Sequence, residues 1–339
     1  MRAVIKFFSS LFAGYAEQHL AFWAQGFLGY FGLAKESSWG TAVAATDYVE
    51  LMSENLTTGI DRFETRNIIA GFQEPDDYAG ARRTTGDVVA AANAVALGHF
   101  LKAAMNTVSG SVVLSGFLWT TRFVSTKSEF AAGVPSQPYT LEVFRDVTSA
   151  HRYAGALLSR LTLALAPNQD MRVTANWIAQ AHTLIAKTTP TFPGSPADPF
   201  TFDTASISLA GTATAQIEAV TCTIDNQLEG ILALNNSNQI GRLARRGPQT
   251  VRISGTMNFA DITEYNNFIN QTEQAFKMTM TRAQSFMFVL EAPRFVYTAF
   301  PMGLPGRGRL TVAFDGQARY LASSAVALDM QLTSTRSNY

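Results

Sequence analysis

The chain has 339 residues, of which 47% are hydrophobic, so it is long enough for two domains of common size and too apolar for extended disorder. Its 26 basic and 26 acidic residues cancel, which argues against a dedicated nucleic-acid-binding protein, because such proteins carry a basic excess. Charged residues make up only 15% of the chain, below the roughly 25% of an average soluble domain. This low content indicates a surface that is partly covered by other protein.

Residues 1–25 differ in character from the rest of the chain. Arg2 and Lys6 precede a short apolar run that ends near Ala16, a pattern similar to a weak signal peptide and too short to span a bilayer. The aromatic and leucine residues of this run also fit one face of an amphipathic helix. Three interpretations stay open: a start site placed too far upstream, an arm that packs on a neighbouring molecule, and a cleaved secretion signal.

The first half predicts short strands, a loop and one helix. Short strands are expected after Gly26 and at 48–52, followed by a loop over 59–85. Residues 87–105 are rich in alanine, the best helix former, and predict a helix with Asp87 as its N-cap. Strands are then expected at 139–144, 157–165 and 171–178. Four prolines between residues 188 and 203 predict a linker.

The second half begins with the clearest strand signal. Val220, Cys222 and Ile224 alternate with polar residues, which predicts a half-buried strand over 215–225. Cys222 is the only cysteine, so an internal disulfide and a cysteine metal cluster are excluded, and a small buried side chain is expected. Asp261 and Glu264 have capping-box spacing and predict a helix over 261–275. The remaining strands are expected at 206–210, 250–259, 276–281, 286–291, 309–314 and 326–332.

The two halves share an order of elements, which favours an internal duplication. Residues 53–60 match 224–231, and 84–100 match 253–269, where a glycine precedes a predicted helix in each half. The later strands then match in order: 139–144 with 286–291, 155–165 with 306–314, and 171–178 with 326–333. The spacing drifts between matches, so the similarity is divergent, and a chance likeness of two strand-rich halves is the alternative.

The sequence contains no constellation for catalysis or metal binding. There is no phosphate-binding loop, nucleophile elbow or histidine pair with metal-ligand spacing. Each isolated candidate has a plainer interpretation: His99 as a structural residue, His151 and Arg152 as a solvated turn, and Asp76–Asp77 beside Glu74 as a solvated loop. Trp39, Trp119 and Trp177 are expected as core or interface anchors. No catalytic, cofactor-binding or metal-binding residue is therefore predicted.

The order of several diffuse patterns resembles the tail tube proteins of long-tailed bacteriophages and prophages. In the first half the patterns are GLAKESSWGTAV, DYVELMSENL, RRTTGDV and ALGHFLKAAM. In the second half they are PFTFDTASISLAG, EAVTCTIDNQLEGILAL, GPQTVRISGTMNF, FKMTM and FMFVLEAP. The resemblance covers residues 27–335 and rests on this order, since no single short motif is diagnostic.

The resemblance implies a mainly β fold with flanking α-helices, organised as two tandem tail-tube-like β-sandwich modules. We divide the chain into an N-terminal extension (1–25), a first module (26–187), a Pro-rich linker (188–203) and a second module (204–339). In such proteins, subunits join sheets edge to edge into rings, and the rings stack into a hollow tube. The duplication favours a trimeric ring with pseudo-sixfold symmetry over a hexameric ring.

The implied function is that of a structural virion protein, not an enzyme, located in the virion tail and assembled in the host cytoplasm. Its expected partners are other copies of itself, a tape measure protein in the lumen, a tail terminator, distal tail or baseplate proteins, and DNA passing transiently during ejection; no membrane is expected. The long connections 59–85 and 230–250 are expected at ring–ring contacts. The alternative is another self-assembling β-sandwich surface protein, such as an adhesin or a surface-layer component.

Overall fold

The computed structural model describes residues 24–65, 76–105, 107–114, 118–125, 135–146, 148–192, 198–282, 286–304, 306–322, 326–336 and 339. These residues are mainly β, with two short α-helices and antiparallel pairing throughout. The expectation of a mainly β chain with flanking helices is confirmed at this level.

The first half contains eleven strands and one helix. They are β1 (Tyr30–Lys35), β2 (Asp47–Val49), β3 (Ser53–Glu54), β4 (Thr57–Glu64), β5 (Asp77–Ala91), α1 (Leu97–Ala104), β6 (Thr107–Leu114), β7 (Leu118–Val124), β8 (Tyr139–Phe144), β9 (Ser149–Leu165), β10 (Arg172–Ala179) and β11 (Ala181–Ala186).

The second half contains ten strands and one helix. They are β12 (Ala205–Leu209), β13 (Thr212–Thr214), β14 (Ile217–Asp225), β15 (Leu228–Ile231), β16 (Arg242–Arg245), β17 (Thr250–Asn258), α2 (Thr263–Ile269), β18 (Gln274–Arg282), β19 (Phe286–Ala299), β20 (Thr311–Ala318) and β21 (Asp329–Ser334).

Eight strands form a central sheet in the order β4–β5–β10–β9–β14–β17–β20–β19. The two halves of the chain meet inside this sheet, where β9 pairs with β14. Strand β3 extends the β4 side by pairing with β5. The central sheet is therefore continuous across both halves.

The two longest strands, β9 and β19, also belong to flanking sheets. The N-terminal part of β9 lies in the order β2–β1–β8–β9–β11. The N-terminal part of β19 lies in the order β13–β12–β18–β19–β21–β7–β6. Buried side chains of all three sheets join one hydrophobic cluster, for example Phe31 on β1, Val173 on β10 and Phe288 on β19. Apolar burial on this scale is the main stabilising contribution to the fold.

The predicted helix over 87–105 is wrong for its first half. Residues up to Ala91 continue β5, where Val88 and Ala90 are buried and the strand pairs with β10 along eight residues. Pairing and burial therefore override the helix propensity of alanine. The helix begins at Leu97, and the side chain of Asn93, not Asp87, caps the turn before it by accepting hydrogen bonds from Val95 N and Ala96 N at 3.1 and 2.7 Å.

Two further local predictions need correction. The expected loop over 59–85 is largely the hairpin β4–β5, with residues 66–75 outside the described residues. The helix α2 covers only Thr263–Ile269, and Glu264 does not reach back to form a capping box. Its Oε2 instead accepts hydrogen bonds from Tyr297 and Gln274 at 2.8 and 2.9 Å.

Candidate assembly surfaces

One face of the central sheet is polar and open to solvent, and we call it the polar face. One row of directly opposed residues crosses five strands: Thr174, Thr162, Thr223, Arg252 and Gln317. A parallel row crosses four of these strands with Asn176, Arg160, Asp225 and Thr250. Residues between these rows point the other way and are buried, as the period of two requires.

Several charges on the polar face form ion pairs with each other. Arg160 lies 3.1 Å from Asp225, and Arg252 lies 3.7 Å from Asp315. The carboxylate of Asp87 accepts a hydrogen bond from Asn176 at 2.8 Å. The face thus combines threonine, serine and amide groups with compensated charges. Such a surface is well hydrated and carries no basic excess to hold phosphate groups.

The central sheet has two side edges, and the first is formed by β3 and β4. Both strands pair with β5 on one side and with no other strand among the described residues. The backbone N–H of Asn55 donates to Asp87 O at 3.0 Å, so the backbone groups of Leu56 and Thr58 point away from β5. An exposed row of such groups is the usual template for strand addition.

Side chains of the same chain occupy one position of this first edge. Leu56 O accepts hydrogen bonds from Arg145 Nη2 at 2.7 Å and from Tyr153 Oη at 3.0 Å, while Leu56 N donates to Glu54 Oε2 at 2.9 Å. Arg145 and Glu54 also form an ion pair at 2.6 Å. The edge is therefore capped at Leu56 and open at Thr58.

The second side edge is the C-terminal part of β19. Strand β18 covers β19 only as far as Phe295, so the following residues have β20 on one side and no strand on the other within the described chain. The strand ends at Ala299, and Pro301 follows without a backbone N–H. Met302 and Leu304 lie just beyond, 43% and 88% exposed. Exposed apolar side chains next to an open strand edge mark a contact surface.

Two hairpins extend from the sheet. In β4–β5, Phe63 stacks on Tyr78 with ring centroids 5.7 Å apart, and both rings are exposed. The hairpin β15–β16 leads to an exposed Leu234. A hydrogen bond from Arg82 N to Asn238 O at 2.7 Å joins the two hairpins. Both lie within the connections that the sequence assigned to ring–ring contacts.

The structure places His99 in a buried polar cluster, not in a cleft. Its imidazole lies 3.8 Å from Asp47, and Arg336 contacts both residues. Burial lowers the pKa of His99 to about 4, so the ring is neutral at physiological pH. The cluster connects helix α1 to the C-terminal segment, which supports the structural role predicted for His99.

The interpretation of His151 and Arg152 as a solvated turn is wrong, because both lie in β9. The Nδ1 atom of His151 is 2.9 Å from Nε2 of His182 on the neighbouring β11, and burial lowers the pKa of both imidazoles. No group of three potential metal ligands occurs among the described residues. In that part of the chain no helix is long and apolar enough to cross a bilayer.

The remaining candidates are structural where the structure describes them. Cys222 is buried, and burial raises the pKa of its thiol to about 12. Trp177 is 1% exposed in the core, and Trp39 donates to Gly155 O at 2.9 Å. Asp77 pairs with Arg62 on the β4–β5 hairpin. Sequence reasoning did not single out Leu56, Met302 or Leu304, whose role depends on which strands lack a partner.

The family model described as "Phage tail tube protein" matches residues 26–333, nearly the whole chain. No curated protein matches the chain.

Proposed function

Since the chain belongs to the phage tail tube protein family and is a structural component of the virion tail, we propose that three copies close into a ring. Rings of this kind stack into a tube whose lumen passes DNA during ejection. The observation that carries this proposal is the central sheet, which is continuous through both halves and, among the described residues, has no partner strand along its two side edges. Open edges need a partner strand, and a second copy of the same sheet supplies one.

The proposal includes two tandem modules, 26–187 and 204–339, joined by the segment 188–203. Supporting it, β8, β9, β10 and β11 are connected in the same way as β18, β19, β20 and β21. Strands β1 and β2 relate to β8 as β12 and β13 relate to β18. The hairpin β6–β7 has no counterpart after α2.

The pairings favour different strand matches from those made on the sequence. Residues 139–144 form β8, which corresponds to β18 and not to the β19 segment 286–291. In the same way β9 corresponds to β19, and β10 to β20, so each of the three later sequence matches was displaced by one strand. The earlier matches, 53–60 with 224–231 and 84–100 with 253–269, fall in corresponding parts of the two halves but are shifted along the chain, because the pairings align Thr57 with Thr223 and Thr85 with Arg252.

Three such chains give a closed wall of about 24 strands, since each central sheet contributes eight. Strands spaced about 4.8 Å apart and tilted by about 40° make a wall roughly 45–50 Å across. Barrels of 16–18 strands already enclose an aqueous channel, so this wall leaves an open lumen. The polar face lines that lumen in the proposal, and its compensated charges suit a surface along which DNA slides without binding.

The paired hairpins β4–β5 and β15–β16 are proposed to contact the next ring. Their exposed aromatic and leucine side chains offer apolar area for that contact. Further partners in this proposal are a tape measure protein in the lumen, a tail terminator and distal tail or baseplate proteins. Assembly in the host cytoplasm completes the proposal.

Electron microscopy of the purified protein tests the ring. We expect hollow rings or tubes in negative stain, and three chains per ring by native mass spectrometry. Six chains per ring would contradict the trimer. Deletion of residues 72–80 tests the hairpin contacts: the variant should form rings that no longer stack, and tubes of normal length would contradict that role.

A further inference from the structure

The joint between the two halves of the chain is defined residue by residue. Strand β9 pairs with β14 so that Arg160 opposes Asp225, Leu163 opposes Cys222, and Leu165 opposes Val220. Leu163 and Leu165 are 2% and 9% exposed, and their side chains belong to the main hydrophobic core. We call this pairing the in-chain joint.

The β9–β10 pairing in the first half and the β19–β20 pairing in the second half have the same register. In the first half Trp177 opposes Leu158, and after a bulge Asn176 opposes Arg160. In the second half Gly316 opposes Tyr297, and after a bulge at the same place Asp315 opposes Ala299. Ala299 therefore holds the position of Arg160, and residues 300–304, which follow the end of β19, are the sequence counterparts of 161–165.

The opposite side of the joint repeats as well. On β14, Thr223 opposes Arg252 and Ala219 opposes Thr256. On the first-half strands, Thr57 opposes Thr85 and Ser53 opposes Val89. Because β5 pairs with β10 as β17 pairs with β20, residues 54–59 hold the positions of 220–225.

The exposure of two side chains differs between the equivalent segments. Met302 and Leu304, the sequence counterparts of Leu163 and Leu165, lie beyond the end of β19 and are 43% and 88% exposed. In the first half Leu163 and Leu165 lie in β9, between β10 and β14, and their side chains face the hydrophobic core. The second half thus has apolar residues at the corresponding places in the sequence, next to a strand edge that no other strand covers in the described part of the chain.

We propose that residues 299–304 of one copy pair antiparallel with residues 54–59 of the next copy, in the register of the in-chain joint. This pairing rests on the ring proposed above, and it identifies the segments through which neighbouring copies in that ring join. Ala299 opposes Gly59, Met302 opposes Leu56, and Leu304 opposes Glu54. The ring is then held by six similar joints, of which three lie within chains and three between them.

The joint between copies requires one local rearrangement. The backbone groups of Leu56 that would pair with Met302 are bonded to Arg145, Tyr153 and Glu54 in the free chain. The incoming strand replaces these contacts. Pro301 opposes Thr57, whose backbone groups point toward β5, so the missing N–H of Pro301 costs no hydrogen bond across the joint.

Disulfide trapping of the full-length protein tests the register. Directly opposed residues of antiparallel strands have Cα atoms about 4.5–5.5 Å apart, which suits a disulfide. The test variant is Gly59→Cys with Ala299→Cys. A Cβ at Gly59 would meet nothing closer than 3.9 Å, and Ala299 is exposed. Native Cys222 is 1% exposed and does not compete.

Two matched controls bracket the result. Arg160→Cys with Asp225→Cys repeats the pair at the in-chain joint and should form an intramolecular disulfide. Ser53→Cys with Ala299→Cys displaces one cysteine by six residues, about 20 Å along the strand, and should not cross-link.

The expected result is a covalent closed trimer from oxidised rings of the test variant on a non-reducing gel, and no cross-link before assembly. In the unmodified protein, amides of residues 54–59 and 299–304 should gain protection from hydrogen exchange on assembly. Rings that form without either signal would overturn this joint and leave the proposed function standing. Failure of the unmodified protein to form rings would overturn both.

Discussion

Leucine truncation at equivalent positions separates assembly from folding. Leu304 is 88% exposed in the free chain, while its counterpart Leu165 is 9% exposed at the in-chain joint. Leu304→Ala removes three carbon groups, each worth about 0.8 kcal/mol when buried. If Leu304 becomes as buried in the ring as Leu165 is in the in-chain joint, most of this free energy is lost on truncation. The substitution then weakens the association at each joint between copies by about 2 kcal/mol. That corresponds to an assembly concentration raised about thirtyfold.

The same substitution at Leu165 acts on a different equilibrium. Leu165→Ala should lower the free energy of unfolding of the monomer by about 2–3 kcal/mol, whereas Leu304→Ala should change it by less than about 0.5 kcal/mol. Denaturant titration of the unassembled chains measures folding, and sedimentation over a concentration series measures assembly. The reasoning would be refuted if Leu304→Ala formed tubes at the same protein concentration as the unmodified protein. It would also be refuted if both variants lost the same amount of monomer stability.

Three further predictions concern other parts of the molecule. The pKa of His99 is lowered from 6.5 to about 4 by burial, so the unfolded chain binds more protons below pH 6.5 and stability falls by up to about 3 kcal/mol toward pH 4; His99→Gln should flatten this decline in denaturation at pH 7 and pH 4.5. Glu54→Val with Arg145→Met removes two of the three side chains that bond the backbone of Leu56, leaving Tyr153; the variant should shorten the lag before tube formation in light scattering, and an unchanged lag would show that these two contacts do not limit assembly. Thr162→Arg adds a cation to the polar face and should make tubes retain a short DNA duplex at low salt but not at high salt, while Thr162→Gln serves as the neutral control.

Local patterning predicts the central strands well. The alternation of Val220, Cys222 and Ile224 marks a strand with one buried face, and the structure places all three in the core. Strand β8 has the predicted bounds, because its neighbours on both sides bury it completely. Where one face or both faces of a strand are buried by partners within the chain, hydropathy is sufficient to find it.

Prediction fails where long-range pairing outweighs composition. The alanines before residue 92 satisfy a helix pattern, yet β10 lies alongside them and takes their backbone groups. Sequence offers no sign of this, because β10 lies some 80 residues away along the chain.

The displaced strand matches have a packing cause. Trp177 in the first half corresponds to Gly316 in the second, and Ala156 corresponds to Phe295. A Cβ on Gly316 would lie 2.2 Å from the ring of Phe295, so that ring fills the space of the missing side chain. The large residue is on β10 in the first half and on β19 in the second, and the small residue is on the neighbouring strand in each case. This exchange preserves the packed volume but removes the similarity between the two half-sequences.

The two free edges also carry different residue types from the in-chain joint, because the edges are exposed in the free chain. Pro301 stands where the in-chain joint has Thr162, and Arg145 stands where the second half has Met280. Proline and charged side chains on open edges oppose indiscriminate strand addition, whereas a joint made during folding needs no such protection. The in-chain joint forms during folding, because both of its strands belong to one chain. The joint between copies forms only after the side chains that cap Leu56 are displaced. The two joints therefore share a register and differ in when they form, as a subunit that remains free until it is added to a tube requires.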